Sequence, residues 1–71
     1  GWTITRENNT FIIEGKEIET IMRRVNFSDY ESMAYFHNTL RKMGIEAELR
    51  RRGIKEGDIV KIFDWEFEYE E

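Results

Sequence analysis

The chain has 71 residues, of which 39% are hydrophobic and 14% aromatic, with a net charge of −4 at pH 7 and no cysteine. This length is enough for one small domain, and the apolar content excludes a disordered segment. The absence of cysteine excludes disulfides, thiol nucleophiles and cysteine-ligated metal sites. No apolar run approaches the roughly 18–20 residues that span a bilayer, and no signal peptide is recognisable, so we expect a cytoplasmic, monomeric domain over residues 1–71 without a membrane partner. Because the first residue is glycine, we expect a piece of a larger protein.

The N-terminal part of the chain predicts a β-hairpin followed by a short helix. Thr3–Thr5 and Thr10–Ile13 are rich in β-branched residues, and Glu7–Asn9 between them suits a tight turn because asparagine tolerates positive φ. We expect this hairpin to end at Gly15. The next segment, Lys16 to Val25, places apolar residues at the i, i+3, i+4 and i+7 positions of one helical stripe: Ile18, Ile21, Met22 and Val25.

Two further helices are predicted from their start and stop signals. Ser28 and Glu31 have the spacing of a capping box, in which both side chains satisfy free N–H groups at a helix start. Gly44 ends this helix, because glycine adopts the left-handed conformation at little cost. A shorter helix follows over Ile45–Arg52 and ends at Gly53. The longer helix carries one predicted apolar face: Tyr30, Met33, Phe36, Leu40 and Met43.

The C-terminal part of the chain predicts two more strands. Gly57-Asp58 indicates a turn, after which Val60 and Ile62 alternate with more exposed positions. Beyond Asp64 the alternation places aromatic residues on one face of a strand and glutamates on the other, as in a half-buried antiparallel strand. The two sets are Trp65, Phe67 and Tyr69, and Glu66, Glu68 and Glu70. The predicted fold class is therefore α+β, with the order ββ-ααα-ββ and a sheet of about four strands with helices packed on one face.

No feature of the sequence predicts a catalytic, cofactor-binding or metal-binding residue. Gly53–Asp58 has three residues between its glycines where a phosphate-binding loop has four, and its aspartate would repel phosphate, so we interpret it as a helix stop and a turn. His37 is the only histidine, and we expect it to border the core. The C-terminal glutamates lie about 7 Å apart along a strand, which is too far for a calcium cage.

One cluster of charge stands out from the rest of the chain. Between Arg41 and Lys55 there are six basic residues and two acidic ones, Glu46 and Glu48, which gives a local charge of +4 in a chain of net charge −4. Two interpretations remain open: solvated helix ends that complement the helix dipole, or a binding patch for a partner or for RNA. The candidate contact residues are Arg41, Lys42, Arg50, Arg51, Arg52 and Lys55.

Taken in order, the landmarks of the chain resemble a known family. They begin with Ile18-Glu19 and Val25–Phe27, and they continue through a helix over Glu31–Leu40. The C-terminal half adds Met43–Ile45, Leu49, Gly53, Gly57–Ile62 and Glu66–Tyr69. From about Trp2 to Tyr69 the chain resembles the C-terminal domain of bacterial Obg GTPases.

The resemblance implies a larger parent with a glycine-rich N-terminal domain and a central GTPase domain that holds the GTP and magnesium sites. It also implies roles in large ribosomal subunit assembly and in the control of growth, stress and sporulation. We therefore expect a non-catalytic regulatory or interaction domain, without a cofactor of its own. Its expected partners are the neighbouring GTPase domain and either the large ribosomal subunit or a regulatory protein. The alternative is an auxiliary RNA contact through the basic residues of Arg41–Lys55.

Overall fold

Two β-hairpins supply all the strands of the sheet. The computed structural model describes residues 1–71. The first hairpin pairs β1 (Thr3–Glu7) with β2 (Thr10–Glu14), and the second pairs β3 (Ile59–Ile62) with β4 (Trp65–Glu68). In the first turn Asn8 has φ 56°, so the sequence prediction of a tight turn with positive φ at asparagine is confirmed.

A parallel pairing joins the two hairpins into one sheet. β2 runs parallel to β3, with Phe11 opposite Val60 and Ile13 opposite Ile62, and the strand order is β1-β2-β3-β4. Parallel neighbours cannot be joined by a short turn and need a crossover connection. Three helices form that connection: α1 (Lys16–Arg24), α2 (Tyr30–Lys42) and α3 (Ile45–Arg51).

The core lies between the helices and one face of the sheet. All 13 buried residues are hydrophobic, and no buried side-chain nitrogen or oxygen lacks a hydrogen-bond partner. The sheet contributes Ile4, Phe11, Ile13, Val60 and Ile62, and the connecting helices contribute Ile18, Met22, Phe36, Leu40, Ile45 and Leu49. The predicted α+β class, with helices packed on one face of a four-stranded sheet, is confirmed.

The predicted capping box at the start of α2 is wrong. The N-cap residue is Asp29, and no side chain caps the helix. Ser28 instead uses both its N–H and its hydroxyl to donate to Asn26 Oδ1, at 3.1 and 2.7 Å. The asparagine oxygen lies two residues away in the preceding turn, and this local bond competes with the cap. Glu31 remains in the first turn, where its negative charge interacts favourably with the positive end of the helix dipole.

The predicted apolar face of α2 is confirmed except at its first residue. Phe36 and Leu40 are buried, whereas Tyr30 is 87% exposed. Tyr30 is six residues before Phe36, which at 3.6 residues per turn places it about 120° away around the helix. Gly44 and Gly53 have φ values of 86° and 90°, so both predicted glycine stops are confirmed. None of the helices has the length and apolar character needed to cross a membrane.

The predicted alternation along β4 is confirmed, but the aromatic face is less buried than we expected. Trp65 and Phe67 are half-buried, Tyr69 is 6% exposed, and Glu66 and Glu68 face solvent. β4 is an edge strand of the sheet, so the helices cover only part of its inner face.

A hydrogen-bonded chain of side chains ties α3 to the opposite edge of the sheet. Arg52 donates to the carbonyl oxygen of Ile4 in β1 at 2.7 Å and to Glu48 at 2.8 Å. Glu48 also accepts two hydrogen bonds from Arg51, at 2.9 and 2.6 Å. The hydrogen bonds from Arg51 and then Arg52 lower the pKa of Glu48 from 4.5 to about 2.

We predict that Phe11→Ala destabilises the domain far more than Phe67→Ala. Phe11 is fully buried in a central strand, and its loss should lower the free energy of unfolding by about 3–5 kcal/mol. Phe67 is half-buried in an edge strand, so its replacement by alanine should lower the free energy of unfolding clearly less. Urea unfolding followed by circular dichroism measures both. Equal losses in the two variants would contradict the assignment of the core.

We predict that the stabilising effect of Glu48 depends on pH. Because its folded pKa lies below its ordinary value, the carboxylate stabilises the folded state above pH 4.5. That contribution is lost as pH falls from 4.5 to about 2. Glu48→Gln should therefore lower the urea midpoint at pH 6 and have little effect near pH 2. Glu70→Gln, which removes an exposed carboxylate outside this chain of side chains, is the control. A Glu48→Gln deficit that persists at pH 2 would contradict the account.

Candidate functional site

The predicted basic residues lie at both ends of α3. Arg41 and Lys42 end α2 immediately before α3, whereas Arg50, Arg51 and Arg52 are at the far end of α3. Five helical residues, Ile45–Leu49, lie between the two groups, which corresponds to a rise of about 7.5 Å along the axis of α3. Lys55 follows in the loop after Gly53, and all six residues of the cluster are exposed.

The three consecutive arginines are engaged within the domain. Arg51 forms its ion pair with Glu48, while Arg50 lies 3.4 Å from Glu46 and donates to the Tyr69 hydroxyl at 3.3 Å. The bond to Tyr69 raises the pKa of Arg50, and the bond to Glu48 raises the pKa of Arg51. Much of the positive charge that the sequence indicated is thus matched by an acceptor on the same helix or in the sheet.

The other basic residues of the cluster have fewer partners. Arg41 donates to the side-chain oxygen of Asn38, one turn earlier on α2. Neither Lys42 nor Lys55 forms an ion pair. Any contact between this surface and a phosphate would therefore depend mainly on Arg41, Lys42 and Lys55.

The Gly53–Asp58 loop uses its backbone N–H groups within the domain. Lys55 donates its N–H to Asp58 Oδ2 at 2.9 Å, and Asp58 returns an N–H to the Lys55 carbonyl at 3.0 Å. Gly57 donates to the carbonyl of Tyr69 at 3.0 Å. A phosphate-binding loop directs such groups toward the ligand. This geometry agrees with the interpretation of the segment as a helix stop and a turn.

The most distinctive surface is aromatic, and sequence reasoning missed it. The ring of Phe27 lies 4.9 Å from Trp65, and Trp65 lies 4.7 Å from Phe67, measured between centroids. His37 packs edge-on against Phe67 at 5.5 Å, so it borders the core as expected. Phe27 was missed because it lies between two helices, where no periodic pattern indicates its surroundings.

This row of rings continues to an exposed end of the molecule. Phe27 and Phe63 are 42% and 43% exposed, and together with Trp65 they form what we call the aromatic end. They line a groove of about 400 Å³. The other lining residues are the buried Met22 and three residues with charged side chains: Glu19, Arg23 and Asp64. Such a surface is suited to contact with another protein surface.

Comparison of the sequence with those of known proteins identifies the family of this chain. A GTPase Obg from Alkaliphilus oremlandii is 46% identical over 68 residues, and one from Acetivibrio thermocellus is 44% identical over 68 residues. A GTPase Obg from Caldicellulosiruptor bescii is 45% identical over 69 residues. These alignments cover 96–97% of this chain and 16% of each relative.

The matched segment is thus a small C-terminal part of these relatives. They are named as GTPases, and the GTPase site lies elsewhere in them, so the segment alone is non-catalytic. A family model described as a domain of unknown function also matches, over residues 2–69. The chain therefore belongs to the DUF1967 family and is homologous to the C-terminal part of Obg GTPases.

Proposed function

We propose that this domain is a regulatory and interaction module that acts on the GTPase part of an Obg protein. The observation that carries the proposal is the aromatic end, with Phe27 and Phe63 exposed on a domain homologous to a small part of larger GTPases. Exposed aromatic groups beside half-buried ones are typical of surfaces that another protein covers. The module needs no chemistry of its own to change the activity of a neighbour.

The cellular role that we propose is the one that the resemblance to Obg GTPases implies. All three relatives described above are named GTPase Obg, and this chain spans 16% of their length. We propose a cytoplasmic parent that acts in large ribosomal subunit assembly and in growth and stress control. We further propose that GTP and magnesium bind only to the GTPase part, and that residues 1–71 hold no cofactor.

A second candidate function is an auxiliary RNA contact. The observation that favours it is the lack of ion pairs at Lys42 and Lys55, at opposite ends of α3. The engagement of Arg50, Arg51 and Arg52 within the domain weakens it, because a phosphate would have to compete with Glu46, Glu48 and Tyr69. Arg52 is unsuitable for a test of RNA contact, since its substitution would also break the bond to Ile4.

We predict that deleting this segment from an Obg protein changes GTP hydrolysis or nucleotide release several-fold. The expected cause is the loss of a contact that biases the GTPase part toward one conformation. Steady-state hydrolysis and the release of a fluorescent nucleotide measure the effect, each with and without the segment. Unchanged values for both would contradict the regulatory role.

An Obg protein that carries this segment also provides a test of the RNA alternative. If the segment contacts RNA, Lys42→Glu combined with Lys55→Glu should weaken association with the large ribosomal subunit. The slope of the logarithm of the binding constant against the logarithm of the salt concentration should become shallower by about 0.7–0.9 per lost phosphate contact. The double substitution should leave hydrolysis unchanged. Replacement of the exposed Lys16, on the first helix, is the matched control.

A further inference from the structure

We propose that the aromatic end, formed by Phe27, Phe63 and Trp65, is the surface on which the GTPase part of the protein docks. The inference rests on the proposed function and deepens it by naming the surface and its occupant. The occupant is the folded part that precedes this segment in the relatives, in contact through an apolar patch of its own.

The backbone conformation and the exposure of Phe63 are the first observations that indicate a partner for this surface. It has φ 60° in the turn between β3 and β4, a conformation that is strained for a bulky side chain. The equivalent turn of the first hairpin has Asn8 at φ 56°, the type of residue that tolerates this conformation. Phe63 is 43% exposed, so burial within the domain does not fully offset the strain. A partner that covers the ring would supply the missing stabilisation.

The surroundings of Phe63 have the composition of an interface centre. It shares the groove of about 400 Å³ with Phe27, Trp65 and Met22. Aromatic residues and methionine are enriched where proteins meet, and charged residues lie at the rim. Here the charged residues of the groove are of both signs: Glu19, Arg23 and Asp64.

The position of the N-terminus identifies the occupant. The start of β1, the ends of β2 and β3 and the start of β4 all lie at the same end of the sheet. Thr3 pairs with Glu14, Ile13 lies beside Ile62 in the parallel pair, and Ile62 pairs with Trp65. Gly1 lies close to Gly15. A Cβ atom added to Gly15 would be 2.7 Å from the carbonyl oxygen of Gly1.

Gly15 and Phe63 in turn line one groove of about 390 Å³. The preceding chain, as it occurs in the relatives, therefore arrives at the aromatic end. Since the two parts are tethered, their effective concentration is high and a small patch is sufficient for docking.

The test compares Phe63→Asn with Phe63→Tyr in an Obg protein that carries this segment. Docking should shield the connection between the two parts, so Phe63→Asn should speed its cleavage by trypsin several-fold, whereas Phe63→Tyr should not. In the 71-residue chain Phe63→Asn should leave the urea midpoint unchanged or raise it, because asparagine accepts the positive φ. Tyr35→Gln removes an exposed aromatic residue of α2 and is the matched control, with cleavage expected at the wild-type rate.

Four results would overturn the proposal. Unchanged cleavage in Phe63→Asn shows that the surface is not a docking site for the GTPase part. Faster cleavage of Phe63→Asn that is accompanied by a lower urea midpoint in the 71-residue chain shows that the substitution acts through the stability of the domain and not through docking. A dimer of the 71-residue chain that Phe63→Asn abolishes, with cleavage unchanged, assigns the surface to a second copy. An effect of deletion on hydrolysis that Phe63→Asn does not reproduce would refute this surface, whereas a deletion without effect on hydrolysis and nucleotide release would refute the proposed function itself.

Discussion

The parallel pairing of β2 with β3 is the constraint on which the rest of the structure depends. It joins two hairpins that are far apart in the sequence, with Phe11 against Val60 and Ile13 against Ile62, all almost fully buried. A parallel pair requires a long crossover, and the segment between the two strands forms it as three amphipathic helices. The core is therefore completed only when the C-terminal hairpin reaches its place beside the N-terminal one.

This arrangement also determines what each surface can do. The order β1-β2-β3-β4 leaves β4 at an edge, where the helices cover Trp65 and Phe67 only in part. The same topology brings the N-terminus and the β3–β4 turn to the same end of the sheet, and Phe27 packs against Trp65 at the start of β4. At the C-terminal end of α3, Arg51 and Arg52 both donate to Glu48, and Arg52 also donates to the Ile4 carbonyl in β1.

Sequence patterns predicted the elements better than their partners. Glycine stops and apolar stripes are local signals, and Gly44, Gly53 and the face of Phe36 and Leu40 were predicted correctly. Strand order depends on contacts between distant segments, which no periodic pattern indicates, so the parallel pairing was not predicted. The capping box was wrong because the side chain of Asn26 competes for Ser28. The charge of the arginine cluster was visible in the sequence, whereas the groups that balance it required the structure.

Amide hydrogen exchange tests most directly the claim that this domain acts on the rest of an Obg protein through its aromatic end. The measurement compares the 71-residue chain with an Obg protein that carries it, at residues 63–65 and at Phe27. Docking predicts that exchange at these amides is at least several-fold slower in the longer protein, with no change at the exposed Lys55. Equal rates at the aromatic end in both proteins would contradict the account.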